Sequence, residues 1–223
     1  MRPLIVALAL VSSATTSAER REPRSARLSA ERGGSPERLA LRERSAPERY
    51  SVRLDTTRGA IVIAVHRDWA PRGAERFHEL VTSRYFDDSR FFRVVKGQWA
   101  QFGIAADPKV ATAWRTRTLP DDPRGQSNTR GRVAFAFAVP DGRTTQVYIS
   151  LRDNSYQDEQ GFVPFGEVVQ GMDVADALNS EYGETAGGGI RAGRQQALFD
   201  GGNAFLDREF PRLDRLLRAR VLP

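Results

Sequence analysis

At 223 residues with a formal net charge of +6, the chain has room for one domain of ordinary size and a tail. It contains no cysteine and only two histidines, His66 and His78, which excludes disulfide frameworks, thiolate zinc sites, iron–sulfur clusters, a cysteine nucleophile and multi-histidine metal centres. Residues 1–49 hold 10 Arg against 6 Glu, so +4 of the +6 lies there and only +2 is left for residues 50–223, the reverse of what a basic nucleic-acid-binding domain needs.

Taken in order, residues 1–18 start with Arg2, continue through the apolar run 4–11 and end in the small residues Thr16, Ser17 and Ala18. This is the pattern of a secretory signal peptide cleaved near Ala18, and it predicts a secreted or periplasmic protein. The apolar run is too short to span a bilayer as a stable helix, so no stable membrane insertion is expected after cleavage; an uncleaved N-terminal anchor is the alternative. Residues 19–49 are dense in Arg, Glu, Ser, Ala and Pro, have no aromatic residue, and read as a flexible linker. Its arginines suggest an anionic-surface role, but the interleaved glutamates oppose it, and no nucleic-acid partner is expected.

The folded domain is predicted over residues 50–223. Ser51–Leu54 and Ala60–Val65 read as two strands of a hairpin turning at Thr56–Gly59. Pro71 suits the first position of a helix in which Ala74, Phe77, Leu80 and Val81 form the apolar stripe. Phe91 to Gly103 reads as two short strands joined at Gly97, which places Arg93 and Gln101 on one sheet face. On this pattern alone the reading of Arg93 as a cation whose stem runs along the sheet edge to water stands ahead of a catalytic one. Residues 104–130 are polar and without a period, and so read as a long loop, a kind of segment that tends to be functional or to pack over a functional site. Further strands are expected at 131–138 and 145–150, then a polar loop at 154–160, a strand near Phe165, a second helix from Met172 to Leu178, a glycine-rich loop over 182–202, and within 213–222 a closing strand, with a short helix as the alternative.

The run F-F-R-V-V-K-G-Q-W-A-Q-F-G at residues 91–103 resembles the signature of cyclophilin-type peptidyl-prolyl cis-trans isomerases, approximately F-H-R-V-I-x-G-F-M-x-Q-G-G. Residues 131–149 are similar to the family's G-x-L-S-M-A-N-A-G-P-N-x-N-x-S-Q-F-F-I. Residues 161–174 resemble a third block, in which V-F-G-x-V-x-x-G-M-x-V is characteristic. The three blocks stand in family order over roughly residues 50–175. The resemblance implies a mainly β fold, a closed antiparallel cyclophilin-like barrel capped by two helices.

It also implies a chemistry. The barrier to turning an Xaa–Pro bond is about 18–20 kcal/mol of amide resonance, and lowering it needs no nucleophile, metal or cofactor. It needs a grip on the proline ring and a donor that favours the twisted amide over the planar one. By the resemblance Arg93 is that donor, with Gln101 assisting. Phe92, Gln98, Trp99, Ala136, Phe137, Gln146, Tyr148, Gln157 and Phe162 fall at substrate-binding positions. Gln98 and Gln157 stand where the family has Phe and Leu, and Phe162 where it has His, while Tyr156 takes the place of a drug-contacting Trp. The expectation is a monomeric isomerase that assists folding of exported, proline-containing polypeptides. The alternative is a non-catalytic binding module with a degraded proline pocket.

Overall fold

The computed structural model describes residues 45–185 and 194–223. Alternation sets the first hairpin. In β1 (Arg49–Thr56) Tyr50, Val52, Leu54 and Thr56 are buried while Arg49 and Arg53 face water. β2 (Gly59–His66) answers with Ile61, Ile63 and Val65, in a register running from Arg49 opposite His66 to Thr56 opposite Gly59. Packing into the fold starts inside the stretch predicted as linker up to residue 49. Ala46 is buried in the core, and its N–H donates to the Glu75 carboxylate at 3.1 Å. The predicted signal segment and the linker up to residue 44 lie outside the described residues.

Helix α1 (Pro71–Thr82) starts at its proline and buries Gly73, Ala74, Phe77, Leu80 and Val81, the predicted stripe with one addition. Ala70 at its N-cap has no side-chain bond to offer. Asp122, about fifty residues on, supplies it instead, taking the N–H groups of Arg72 at 3.0 Å and Gly73 at 2.8 Å.

Seven more strands complete one antiparallel sheet: β3 (Ser89–Arg90), β4 (Arg93–Val95), β5 (Trp99–Phe102), β6 (Arg132–Phe135), β7 (Val147–Ser150), β8 (Pro164–Gln170) and β9 (Arg215–Val221). Their order is β3-β9-β1-β2-β8-β6-β7-β5-β4. The closing strand β9 falls where it was expected, against β1. Both edge strands belong to one stretch of chain, since only Phe91 and Phe92 separate β3 from β4. The sheet is therefore curled, and among the described residues no ladder joins its two edges, so the expected closed barrel is observed as a curled half-barrel whose edge strands are linked through those two residues. Inside the curl Phe86, Phe102, Phe91, Phe77, Phe165 and Phe135 form a run of ring contacts with centroids 4.9 to 5.7 Å apart.

Among the described residues the expected pair of helices becomes four. The loop predicted over 104–130 contains α2 (Pro108–Arg115), capped by the Asp107 carboxylate on the Lys109 N–H. After the expected helix, α3 (Met172–Asp176), comes α4 (Gln196–Glu209), inside and beyond the predicted glycine-rich loop. Its apolar residues are interrupted by Gly201 and Gly202, which hid the helical period. Gly202, with φ of 52°, breaks α4, and glycine is required there because Ala106 O would lie 2.5 Å from any Cβ. Asn203 N–H then bonds Ala106 O at 3.2 Å, fastening α4 to the segment ahead of α2.

Candidate active site

Register builds the site. Arg93 on β4 pairs with Gln101 on β5, Gln101 with Tyr148 on β7, and Tyr148 with Ala134 on β6. Paired residues point to the same face, so this row crosses four strands on the outer side of the curl. The adjacent row, Val94, Ala100, Ile149 and Val133, points inward and is almost fully buried. A one-residue slip would exchange the two rows, so core packing enforces the placement of Arg93.

Arg93 donates from Nη1 to Gln101 Oε1 at 3.0 Å. Gln101 Nε2 donates to Gln146 Oε1 at 2.8 Å, and Gln146 Nε2 to Gln195 Oε1 at 2.7 Å. Gln101 and Gln146 each accept from one neighbour and donate to the next, and Gln195 Nε2 returns a bond to Gln146 Oε1 at 3.2 Å, which fixes the planes and holds one edge of the guanidinium. Its face lies 4.8 Å from the centre of the Trp99 ring. Nη2 donates to both Glu184 oxygens, at 2.8 and 3.1 Å.

Beside this line lies a cavity of about 740 Å³. One end is aromatic: the Phe137 and Phe162 ring centres are 4.5 Å apart, and Tyr148 meets Phe162 edge-on at 5.7 Å. The Tyr148 hydroxyl lies 2.8 Å from Asn128 Oδ1 and 3.0 Å from Gln157 Oε1, and burial pushes its pKa well above the ordinary phenol value. Asn128 in turn donates to Asp158 and to the carbonyl of Phe162, tying the floor to the wall. Arg143 sits behind that wall with its guanidinium 4.2 Å from the Phe137 ring centre, donating to Gly161 O and paired with Asp121. Burial lowers the Arg143 pKa.

Of the residues the sequence put forward, Arg93, Trp99, Gln101, Ala136, Phe137, Gln146, Tyr148, Gln157 and Phe162 line the cavity, as does Tyr156. Two do not. Phe92 alternates inward from Arg93 and is part of the core, only 1% exposed. Gln98 sits in the β4–β5 turn, where its carbonyl accepts from Leu151 N–H and Asn154 Nδ2, and its side chain is not part of the lining. The residues missed are Gln195, Phe199, Arg115 and Glu184, all on segments read as loop. Both histidines are structural: His66 stacks on Trp69 at 3.9 Å, and His78 meets Tyr50 edge-on at 5.2 Å.

A family model described as "Cyclophilin type peptidyl-prolyl cis-trans isomerase/CLD" matches residues 51–193, which include the whole row from Arg93 to Phe162. The chain belongs to the cyclophilin family. Its sequence is 30% identical over 132 residues to a peptidyl-prolyl cis-trans isomerase of Acinetobacter baylyi, covering 57% of this chain and 70% of that one. It is also 30% identical over 135 residues to peptidyl-prolyl cis-trans isomerase B of Escherichia coli, covering 57% and 82%. Among solved structures, a cyclophilin-type peptidyl-prolyl cis-trans isomerase of Cryptosporidium parvum superimposes with a TM-score of 0.57 at 16% identity, over 78% of this chain and 98% of that one. A cyclophilin from Hirschia baltica gives 0.54 at 14% identity, over 84% and 80%. These two likenesses bear on the fold, and they agree with the curled mainly β architecture. As a cyclophilin the chain is an isomerase of the peptidyl-prolyl class. Helix α4, which carries Phe199 into the cavity, lies beyond the family-matched residues.

Proposed function

We propose that the chain accelerates cis–trans exchange at Xaa–Pro bonds of exported polypeptides, with Arg93 as the electrostatic catalyst. The observation that carries this reading is the Arg93–Gln101–Gln146 line beside the aromatic end of the cavity. The proline ring packs against Phe137, Tyr148 and Phe162, leaving the carbonyl side of the bond to twist. An Arg93 N–H meets the nitrogen as it loses amide resonance and gains a lone pair, an interaction stronger in the twisted state than in the planar one. Arginine keeps its charge at every relevant pH and holds its donors in one plane. Gln101 positions that plane and Gln146 positions Gln101. No bond is made or broken, so no proton or cofactor balance arises. The export role rests on the signal-like residues 1–18, which lie outside the described residues. Among the described residues no helix is long and apolar enough to cross a membrane.

The test is the isomerisation rate of a short Xaa–Pro peptide with the full chain and with Arg93→Ala. Removing one charged donor from a preorganised site is expected to reduce kcat/KM by about 10²–10³. Equal rates for the two proteins would overturn the role of Arg93. Peptide binding without acceleration by either would favour the non-catalytic module.

A further inference from the structure

The contact of Glu184 with Arg93 is not needed to orient the guanidinium, because the Gln101 oxygen and the Trp99 ring already fix its edge and its face. Yet Glu184 is placed with care. Its turn is closed by Thr185, whose N–H and hydroxyl both donate to Tyr182 O at 2.9 and 2.6 Å. The Tyr182 ring packs edge-on against Phe210 at 5.2 Å, and its hydroxyl accepts from Arg212 N–H at 3.3 Å. A carboxylate is thus held on the donor that the prolyl nitrogen would need.

We propose that Glu184 is a specificity-determining residue, which holds Arg93 until substrate arrives and then selects polypeptides bearing Lys or Arg beside the proline. This rests on the isomerase reading above. The Arg93 side chain is 18% exposed and that of Glu184 44%, so water reaches the pair and it opens readily. A substrate that takes the Nη2 donor strands the Glu184 carboxylate next to the bound chain. A neutral substrate leaves that charge without its partner. A basic side chain near the proline takes the partner's place, and an acidic one both competes for Arg93 and is repelled by Glu184. Among the described residues no Asp or Glu lines the cavity, whose lining cations are Arg93 and Arg115, with the buried Arg143 behind its wall. Arg143 is already matched by Asp121. Arg115 is held apart by Gln196 Oε1 at 2.8 Å and by the Phe199 ring, 4.5 Å away. Among the described residues Glu184 is therefore the carboxylate that can read charge at the catalytic arginine.

The experiment measures kcat/KM on three peptides that differ only in Lys, Ala or Glu beside the proline. The proteins are the wild-type chain, Glu184→Gln and Arg93→Ala. Wild type is expected to favour Lys over Ala and Ala over Glu. Glu184→Gln should level the series and raise the Ala and Glu peptides by about two- to fivefold, the range expected of a water-exposed ion pair. An unchanged Lys-to-Glu ratio in Glu184→Gln would overturn the inference. So would a uniform fall on all three peptides, which would make Glu184 a brace for Arg93. Tryptophan fluorescence on titrating the same peptides ranks them without turnover. A Lys preference in binding that Glu184→Gln abolishes, with no acceleration by any protein, sinks the isomerase reading and leaves the selection by charge standing.

Discussion

The carboxamides of Gln146 and Gln195 face each other as a reciprocal pair: Gln146 Nε2 donates to Gln195 Oε1 at 2.7 Å, and Gln195 Nε2 lies 3.2 Å from Gln146 Oε1. Gln195 is almost fully buried at the start of α4, so an element outside the family-matched residues sets the tilt of an amide that in turn orients Gln101 and Arg93.

Substituting Gln195→Leu keeps the bulk and removes the amide. Expected is a fall in kcat/KM of about threefold to tenfold, the worth of one hydrogen bond in a network. In Arg93→Ala the same change should cost nothing further, because its effect passes through the arginine. Equal losses in both backgrounds would place the role of Gln195 elsewhere.

Replacing Tyr148 with Phe removes the buried hydroxyl that meets Asn128 and Gln157. Two buried amides then lack that partner, and a loss of about 1–3 kcal/mol in stability is expected from urea unfolding. The wall facing the proline ring keeps its aromatic face, so KM should not rise.

Asp122→Ala leaves the first turn of α1 without the carboxylate that takes the Arg72 and Gly73 N–H groups. A loss of about 1–2 kcal/mol is expected, with Asp122→Asn recovering part of it. Since α1 packs beneath the sheet and not in the cavity, kcat/KM at temperatures well below unfolding should stay within about twofold of wild type.

Strand β9 supplies the sign of the acid response. Arg218 and Arg53 hold the Asp55 carboxyl below its ordinary value of 3.8 by hydrogen bonding. For Asp87 and Asp88 burial pushes upward, but the bonds from Arg220 and Arg215 outweigh it and both carboxyls end lower. As pH falls through about 3.8 the unfolded chain takes up these protons first, so the stabilisation is complete above that value and drains away below it. Urea midpoints measured from pH 6 down to pH 3 should fall steeply only below about 4, and less steeply in Asp87→Asn. A flat profile would show that the three pairs contribute nothing to holding β9.

Much of this architecture could be read from local pattern. The alternation in β1 and β2, the proline and stripe of α1, and the eight-residue separation of Arg93 and Gln101 across Gly97 are local, and each appears as expected. What escaped depends on distant partners or on interrupted periods. Asp122 capping α1 spans about fifty residues, and α4 is masked by its paired glycines. Phe92 shows the opposite error. Its place in the motif suggested a substrate contact, while strand alternation turns it into the core. Glu184 lies in a turn with no period at all, and only the folded chain brings it to Arg93.

The curl of the sheet has a consequence for the chain as it is being made. β9 inserts between β1 and β3, with Val52 opposite Val221 and Ser89 opposite Leu216, yet it is the last of the nine strands to be synthesised. Until then two strand edges stand unpaired, and the Phe-rich interior lies open along one side. The half-barrel can therefore be completed only once β9 has been made, through pairings far apart in sequence that form slowly. Throughout that interval the growing chain presents unpaired strand edges of its own, the feature that makes an incomplete sheet prone to wrong pairing.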